Sequence, residues 1–141
     1  MAERMQSAAN GESLGRLVVI GLGLIGGSFA KGVREAKLFS EVIGVDLDSE
    51  SCRLAVELGV VDRCETDLVR ACEGATVIQL AVPILAMERL LEQLSALDLQ
   101  STVLTDVGSA KGSILRAAQR YLPQCLANFV PGHPIAGSEQ S

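Results

Sequence analysis

The stretch "VVIGLGLIGGS" constrains this chain more than any other, because it sets Gly21, Gly23 and Gly26 between a short apolar run and an amphipathic one. A G-x-G-x-x-G pattern where a strand meets a helix marks a turn whose backbone comes close to something. Gly21 is expected to permit the tight turn, Gly23 to leave room for a pyrophosphate, and Gly26 to let the helix pack closely on the strand. The helix that opens there offers unpaired amide donors and roughly half a unit of positive charge. Gly21, Leu22, Gly23, Leu24, Ile25 and Gly26 thus read as a phosphate cradle that needs no basic residue.

The rest of the chain supplies the context that such a turn requires. "RLVVI" (16–20), "EVIGVD" (41–46), "TVIQLAV" (76–82) and "TVLTDV" (102–107) are short, rich in Val, Ile and Leu, and nearly continuous. Runs apolar on both faces suit a parallel sheet covered on both sides. Between them, "LIGGSFAKGVREA", "SESCRLAVELG", "TDLVRACEG" and "ILAMERLLEQLSAL" carry apolar residues at helical spacing. Asp48 or Ser49 suits the cap of the second helix, which ends at Gly59; Thr66 suits the cap of the third, closed by Gly74. Pro83 fits the first turn of the fourth. A last helix near 110–121 leads through Pro123 to a weak strand at "ANFV". The expected class is α/β, a doubly wound parallel sheet of the Rossmann type over residues 16–141, preceded by a polar, disordered lead-in at 1–15.

Composition narrows the function classes. The 141 residues are 48% hydrophobic but only 3% aromatic, enough for one buried core and too few for a base-stacking platform. Net charge is -5, and no Lys or Arg run could neutralise a phosphate backbone, so nucleic acid is not an expected partner. No stretch has the roughly 20 apolar residues of a membrane span or the core of a signal peptide, and the expectation is a soluble, cytoplasmic protein. Cys52, Cys64, Cys72 and Cys125 show neither a CxxC pair nor metal-ligand spacing with the single histidine, His133. They read as reduced, structural thiols, and no metal is expected.

Asp46 ends the second apolar run 20 residues after Gly26, where a carboxylate can accept the ribose hydroxyls of an adenosine. It repels a 2'-phosphate, and the following Leu47 and Asp48 offer no guanidinium to receive one. The expected cofactor is NAD rather than NADP. Arg53, on the next helix, reads as a partner of Glu50 or Glu57.

Ligands of open α/β sheets sit beyond the carboxyl ends of the strands. Three further stretches fall at such ends. "AVP" brings Ala81, Val82 and Pro83 toward the cofactor, and "TDVGSAKG" gathers Asp106, Ser109 and Lys111 around two glycines. "GHPIAGSEQS" brings His133, Ser138 and Glu139 to the same edge. His133, with an intrinsic pKa of about 6.5, suits proton exchange with a substrate hydroxyl.

In this order, "VVIGLGLIGGSFAKGVR", "GVDLD", "AVPI", "TDVGSAKG" and "GHPIAGSEQS" resemble the nucleotide-binding domain of the prephenate/arogenate (cyclohexadienyl) dehydrogenases of tyrosine biosynthesis. The resemblance implies oxidative decarboxylation of prephenate or arogenate, with hydride moving to the nicotinamide. It implies catalytic roles for His133, which hydrogen-bonds the substrate 4-hydroxyl, and for Ser109, which touches that hydroxyl and the nicotinamide. Ser138, Glu139 and Lys111 would approach the substrate. It also implies a homodimer built by a helical C-terminal domain, which is absent from these residues. A different NAD-linked hydroxy-acid dehydrogenase or imine reductase, and a non-catalytic NAD sensor, account for the glycine turn and Asp46 but not for "GHPIAGSEQS".

Overall fold

The computed structural model describes residues 14–82, 84–99, 101–106, 119–123 and 129–130. The apolar runs line up as a parallel sheet. The strands β1 (Arg16–Ile20), β2 (Glu41–Val45), β3 (Arg63–Glu65), β4 (Val77–Leu80), β5 (Val103–Asp106) and β6 (Phe129–Val130) lie in the order β3-β2-β1-β4-β5-β6. β1 pairs with β2 from Arg16↔Glu41 to Ile20↔Val45 and with β4 from Leu17↔Val77 to Ile20↔Leu80. The chain steps outward from β1 to β3, then crosses back to lay β4 on the other side of β1. That reversal leaves a crevice at the carboxyl ends of β1 and β4, the switch point of a doubly wound sheet.

Alternation along the strands divides the core between two faces. Leu17, Val19 and Val42 are buried on one side against Ala30 and Ala55, which belong to α1 (Leu24–Glu35) and α2 (Ser49–Glu57). Val18, Ile20, Ile43, Val45, Ile78, Leu80 and Leu104 are buried on the other. There they meet Ala71 and Cys72 of α3 (Leu68–Cys72) and Met87, Leu91 and Leu94 of α4 (Ile84–Leu94). Each fully buried aliphatic side chain contributes roughly 1.5–3 kcal/mol relative to exposure. Strands so placed must be apolar on both faces, which is why they read as unbroken runs.

The helix starts follow from local hydrogen bonding. Asp48 caps α2, its side chain accepting from the Glu50 amide at 3.2 Å. Asp67, not the expected Thr66, caps α3, accepting from the Arg70 amide at 3.2 Å. β3 was not expected at all. It is a three-residue edge strand in which Arg63 pairs with Glu41 at 2.9 Å and Glu65 at 2.8 Å, so it carries charge where the other strands carry aliphatic residues.

Leu14 and Gly15, at the end of the expected lead-in, are tied to the turn before β2. The Leu14 amide donates to the Leu38 carbonyl at 2.7 Å, and the Gly15 carbonyl accepts from the Ser40 amide at 2.7 Å. Residues 1–13, and the expected last helix up to residue 118, lie outside the described residues. Among the described residues, no helix is long and apolar enough to cross a membrane.

The cysteine reading requires a correction. Cys52 on α2 and Cys64 on β3 form a disulfide, their Cα atoms 5.4 Å apart and 12 residues apart in sequence. The sheet brings together what sequence spacing did not pair. Cys72 is the buried free thiol among the described residues.

Candidate functional site

The glycine turn sits at the crevice and is stitched to both neighbouring strands. The Gly21 amide donates to the Val45 carbonyl at 2.8 Å, and the Ala81 amide donates to the Ile20 carbonyl at 2.8 Å. Gly21 adopts φ +97, in the left-handed region that favours glycine. A Cβ there would stand 2.5 Å from the Ala81 carbonyl oxygen and 3.2 Å from a Val82 methyl. The expected residues Ala81 and Val82 therefore form the floor under the turn.

The three glycines are required for different reasons. A Cβ on Gly26 would stand 2.1 Å from the Gly21 carbonyl oxygen and 3.0 Å from the Ala81 Cβ, so α1 rests directly on the turn and on the end of β4. Among the described residues, nothing lies within 4 Å of where a Cβ on Gly23 would stand. Gly23 has extended geometry, φ -68 and ψ -167, which any residue can adopt. Neither packing against the described residues nor conformation therefore asks for glycine at this position.

Gly23 is also the N-cap of α1. It supplies no side-chain acceptor to the first-turn amides, and that turn has no acidic residue. Leu24 and Ile25 open the helix here. A helix start lacking both devices, beside open space, is suited to an anionic group.

Asp46 follows β2 and faces the same turn. One carboxylate oxygen accepts from the Leu22 amide and the other from the Asp48 amide, both at 3.0 Å. The carboxylate joins the glycine turn to the turn that starts α2, fixing two loops at once. A carboxylate has about four lone-pair sites, so these two amides leave capacity for hydroxyl donors. Leu22 lies over Gly44 of β2, where a Cβ would meet its methyl groups at 2.9 and 3.1 Å.

Sequence reasoning did not select Leu47 as a binding residue. It is 91% exposed directly beside Asp46, an apolar side chain at the mouth of the site. Its signal was an aliphatic residue in a turn between two aspartates. Arg53 is engaged by both Glu50 and Glu57 on its own helix.

Of the remaining expected residues, Asp106 ends β5 and is buried, 1% exposed, beside Leu80 in register. Pro83, Ser109, Lys111, His133, Ser138 and Glu139 lie outside the described residues. Among the described residues no cluster of His, Cys, Asp and Glu is arranged to hold a metal ion.

A doubly wound parallel sheet with a glycine turn at its switch point, an uncapped helix start and an acidic residue ending β2 defines a nucleotide-binding domain of the Rossmann type. Residues 29–141 match the family model described as prephenate dehydrogenase, nucleotide-binding domain. The chain belongs to that family. The matched stretch begins after Gly26, so the geometry of the glycine turn stands as a separate observation.

A prephenate dehydrogenase of Lactococcus lactis is 38% identical over 127 residues, a match that covers 89% of this chain and 35% of the relative. A solved prephenate dehydrogenase of A. aeolicus, in complex with hydroxyphenyl propionate and NAD+, superposes with a TM-score of 0.78 at 31% identity, covering 89% of this chain and 43% of that one. An arogenate dehydrogenase of Synechocystis gives a TM-score of 0.74 at 34% identity, with coverages of 84% and 40%. The chain thus spans about a third to two fifths of the length of these relatives.

Proposed function

We propose that this chain is the NAD-binding part of a dehydrogenase that oxidises and decarboxylates prephenate or arogenate. The observation that carries the cofactor half is Gly23, a glycine with free space around it at an uncapped helix start, flanked by two glycines that packing does require. The first-turn amides of α1 would hold the pyrophosphate, and Asp46 would accept the hydroxyls of the adenosine ribose. Leu47 would lie against the apolar face of the adenine. When bound, NAD supplies a hydride acceptor.

Specificity for NAD over NADP rests on charge. Asp46 repels a 2'-phosphate, and Arg53, the nearest guanidinium in sequence, is held by Glu50 and Glu57. The substrate half rests on the relatives and on "GHPIAGSEQS". His133 would accept a hydrogen bond from the substrate 4-hydroxyl and take its proton as the ring becomes aromatic. Ser109 would hold that hydroxyl in place, with Ser138, Glu139 and Lys111 near the carboxylates.

The test is the oxidation of prephenate and of arogenate by the natural-length protein, with NAD and NADP compared, beside His133→Asn. The expected result is activity with NAD that falls about 10²–10⁴-fold in the variant, the usual contribution of a positioned acid or base, with NAD affinity unchanged. A natural-length protein that binds NAD and oxidises neither compound would point instead to a different dehydrogenase.

A further inference from the structure

The disulfide lies next to the nucleotide site. Cys52 stands in the first turn of α2, its amide donating to the carbonyl of the cap residue Asp48 at 3.1 Å, and its sulfur is 3.5 Å from the carbonyl oxygen of Asp46. Cys64 pairs in register with Gly44, the residue that Leu22 covers. The bond therefore ties the start of α2 to the edge strand, at the point where Asp46 is held.

The other end of α2 has its own tether. Arg34 of α1 donates to the Gly59 carbonyl at 3.0 Å and to Asp62 at 2.8 Å, and Asp62 accepts from the Val42 amide at 2.8 Å. These contacts hold the α2–β3 connection without help from sulfur. Breaking the disulfide would free only the end of α2 that carries Asp48 and abuts Asp46.

We propose that Cys52 and Cys64 are a reversible thiol/disulfide pair whose oxidation tightens dinucleotide binding by fixing the turn that holds Asp46. The inference rests on reading the glycine turn and Asp46 as a dinucleotide site. Cys52 is buried and Cys64 half-buried, so exchange with a small disulfide such as oxidised glutathione begins at Cys64. The Cys64 thiolate attacks one glutathione sulfur, forming a mixed disulfide and releasing one glutathione thiolate. The Cys52 thiolate then attacks the Cys64 sulfur and releases the second. Two protein thiols lose two protons and two electrons, and the glutathione disulfide is reduced to two thiols. Cys72 takes no part, because burial pushes its thiol up to about 12.

The experiment equilibrates the natural-length protein in mixtures of reduced and oxidised glutathione. It counts Cys52–Cys64 bonds by thiol trapping and peptide mass, and measures the NAD Kd in each state. The expected result is a bond that forms and opens reversibly, with an NAD Kd about five-fold weaker when reduced, as when the competent turn falls to roughly a fifth of the population. Cys64→Ser, and Cys52→Ser as a second variant should the first not fold, holds the weaker Kd in both mixtures. A bond that does not open in the reducing mixture, or an NAD Kd equal in the two states, overturns the inference while leaving the site reading intact. NAD binding in neither state overturns the site reading, and this inference with it.

Discussion

Two glycines three residues apart separate folding from binding at the scale of single atoms. A methyl group on Gly26 would press on the Gly21 carbonyl at 2.1 Å, whereas one on Gly23 would meet none of the described residues within 4 Å. Gly26→Ala is therefore predicted to lower the melting temperature, at a cost of about 1–3 kcal/mol for overpacking a rigid contact. Gly23→Ala should cost only about 1 kcal/mol or less, the usual penalty of alanine at an N-cap, while losing at least about ten-fold in NAD affinity, because the methyl would stand where the pyrophosphate is proposed to lie. Calorimetric melting and NAD titration of the two variants together check this; equal NAD affinity in Gly23→Ala and the parent would remove the phosphate cradle. The motif named all three glycines in sequence, but their different duties are visible only once the Ala81 carbonyl and the Gly21 carbonyl are in place.

The tether at the end of α1 gives the elements a pH dependence. Burial alone would raise the Asp62 pKa, but the Val42 amide and the Arg34 guanidinium outweigh it and hold the carboxyl below its ordinary value. A carboxyl depressed in the folded state adds stability that is fully present above its unfolded pKa of about 3.9 and is lost as pH falls through the lower folded value. The side chain is 35% exposed, so solvent screening limits the contribution to about 1 kcal/mol or less. Asp62→Asn is expected to lower stability at neutral pH and to reduce the acid-side decline, as followed by denaturant unfolding between about pH 2 and 6. A parallel loss at every pH would mean that Asp62 acts by shape alone. α2 was legible from its Asp48 cap and its end at Gly59, but the stripe Leu54, Val56 and Leu58 expected to face the core is exposed, and Cys52 and Ala55 are buried instead. β3 was not legible, because a strand of three residues with two charges has no apolar signature.

At the scale of the whole molecule, the question is what the sheet edge can do by itself. Its described residues bring the Gly21 turn, Asp46, Ala81 and the end of β5 to the carboxyl edge of the sheet, where the nucleotide is proposed to bind. Hydride transfer asks more, since holding two reactants in contact contributes on the order of 7–11 kcal/mol in favourable cases. The matched region covers only 35% of the Lactococcus lactis relative. Residues 1–141 taken by themselves are thus expected to bind NAD and yet oxidise prephenate at least about 10³-fold more slowly than that relative assayed alongside. Comparable rates would show that these residues alone complete the pocket.

The alternation of the longer strands with helices, the glycine turn and the acidic residue after β2 were determined by sequence, because each rests on local rules: apolar runs for doubly covered strands, and a motif that works only between strand and helix. What local rules do not encode is proximity between distant residues. The switch at β1 and β4, the Leu22 to Asp46 hydrogen bond and the reach of Arg34 to Asp62 exist only after the sheet has assembled. The pairing of Cys52 with Cys64 belongs with them, since two thiols 12 residues apart in sequence meet only when α2 packs against β3.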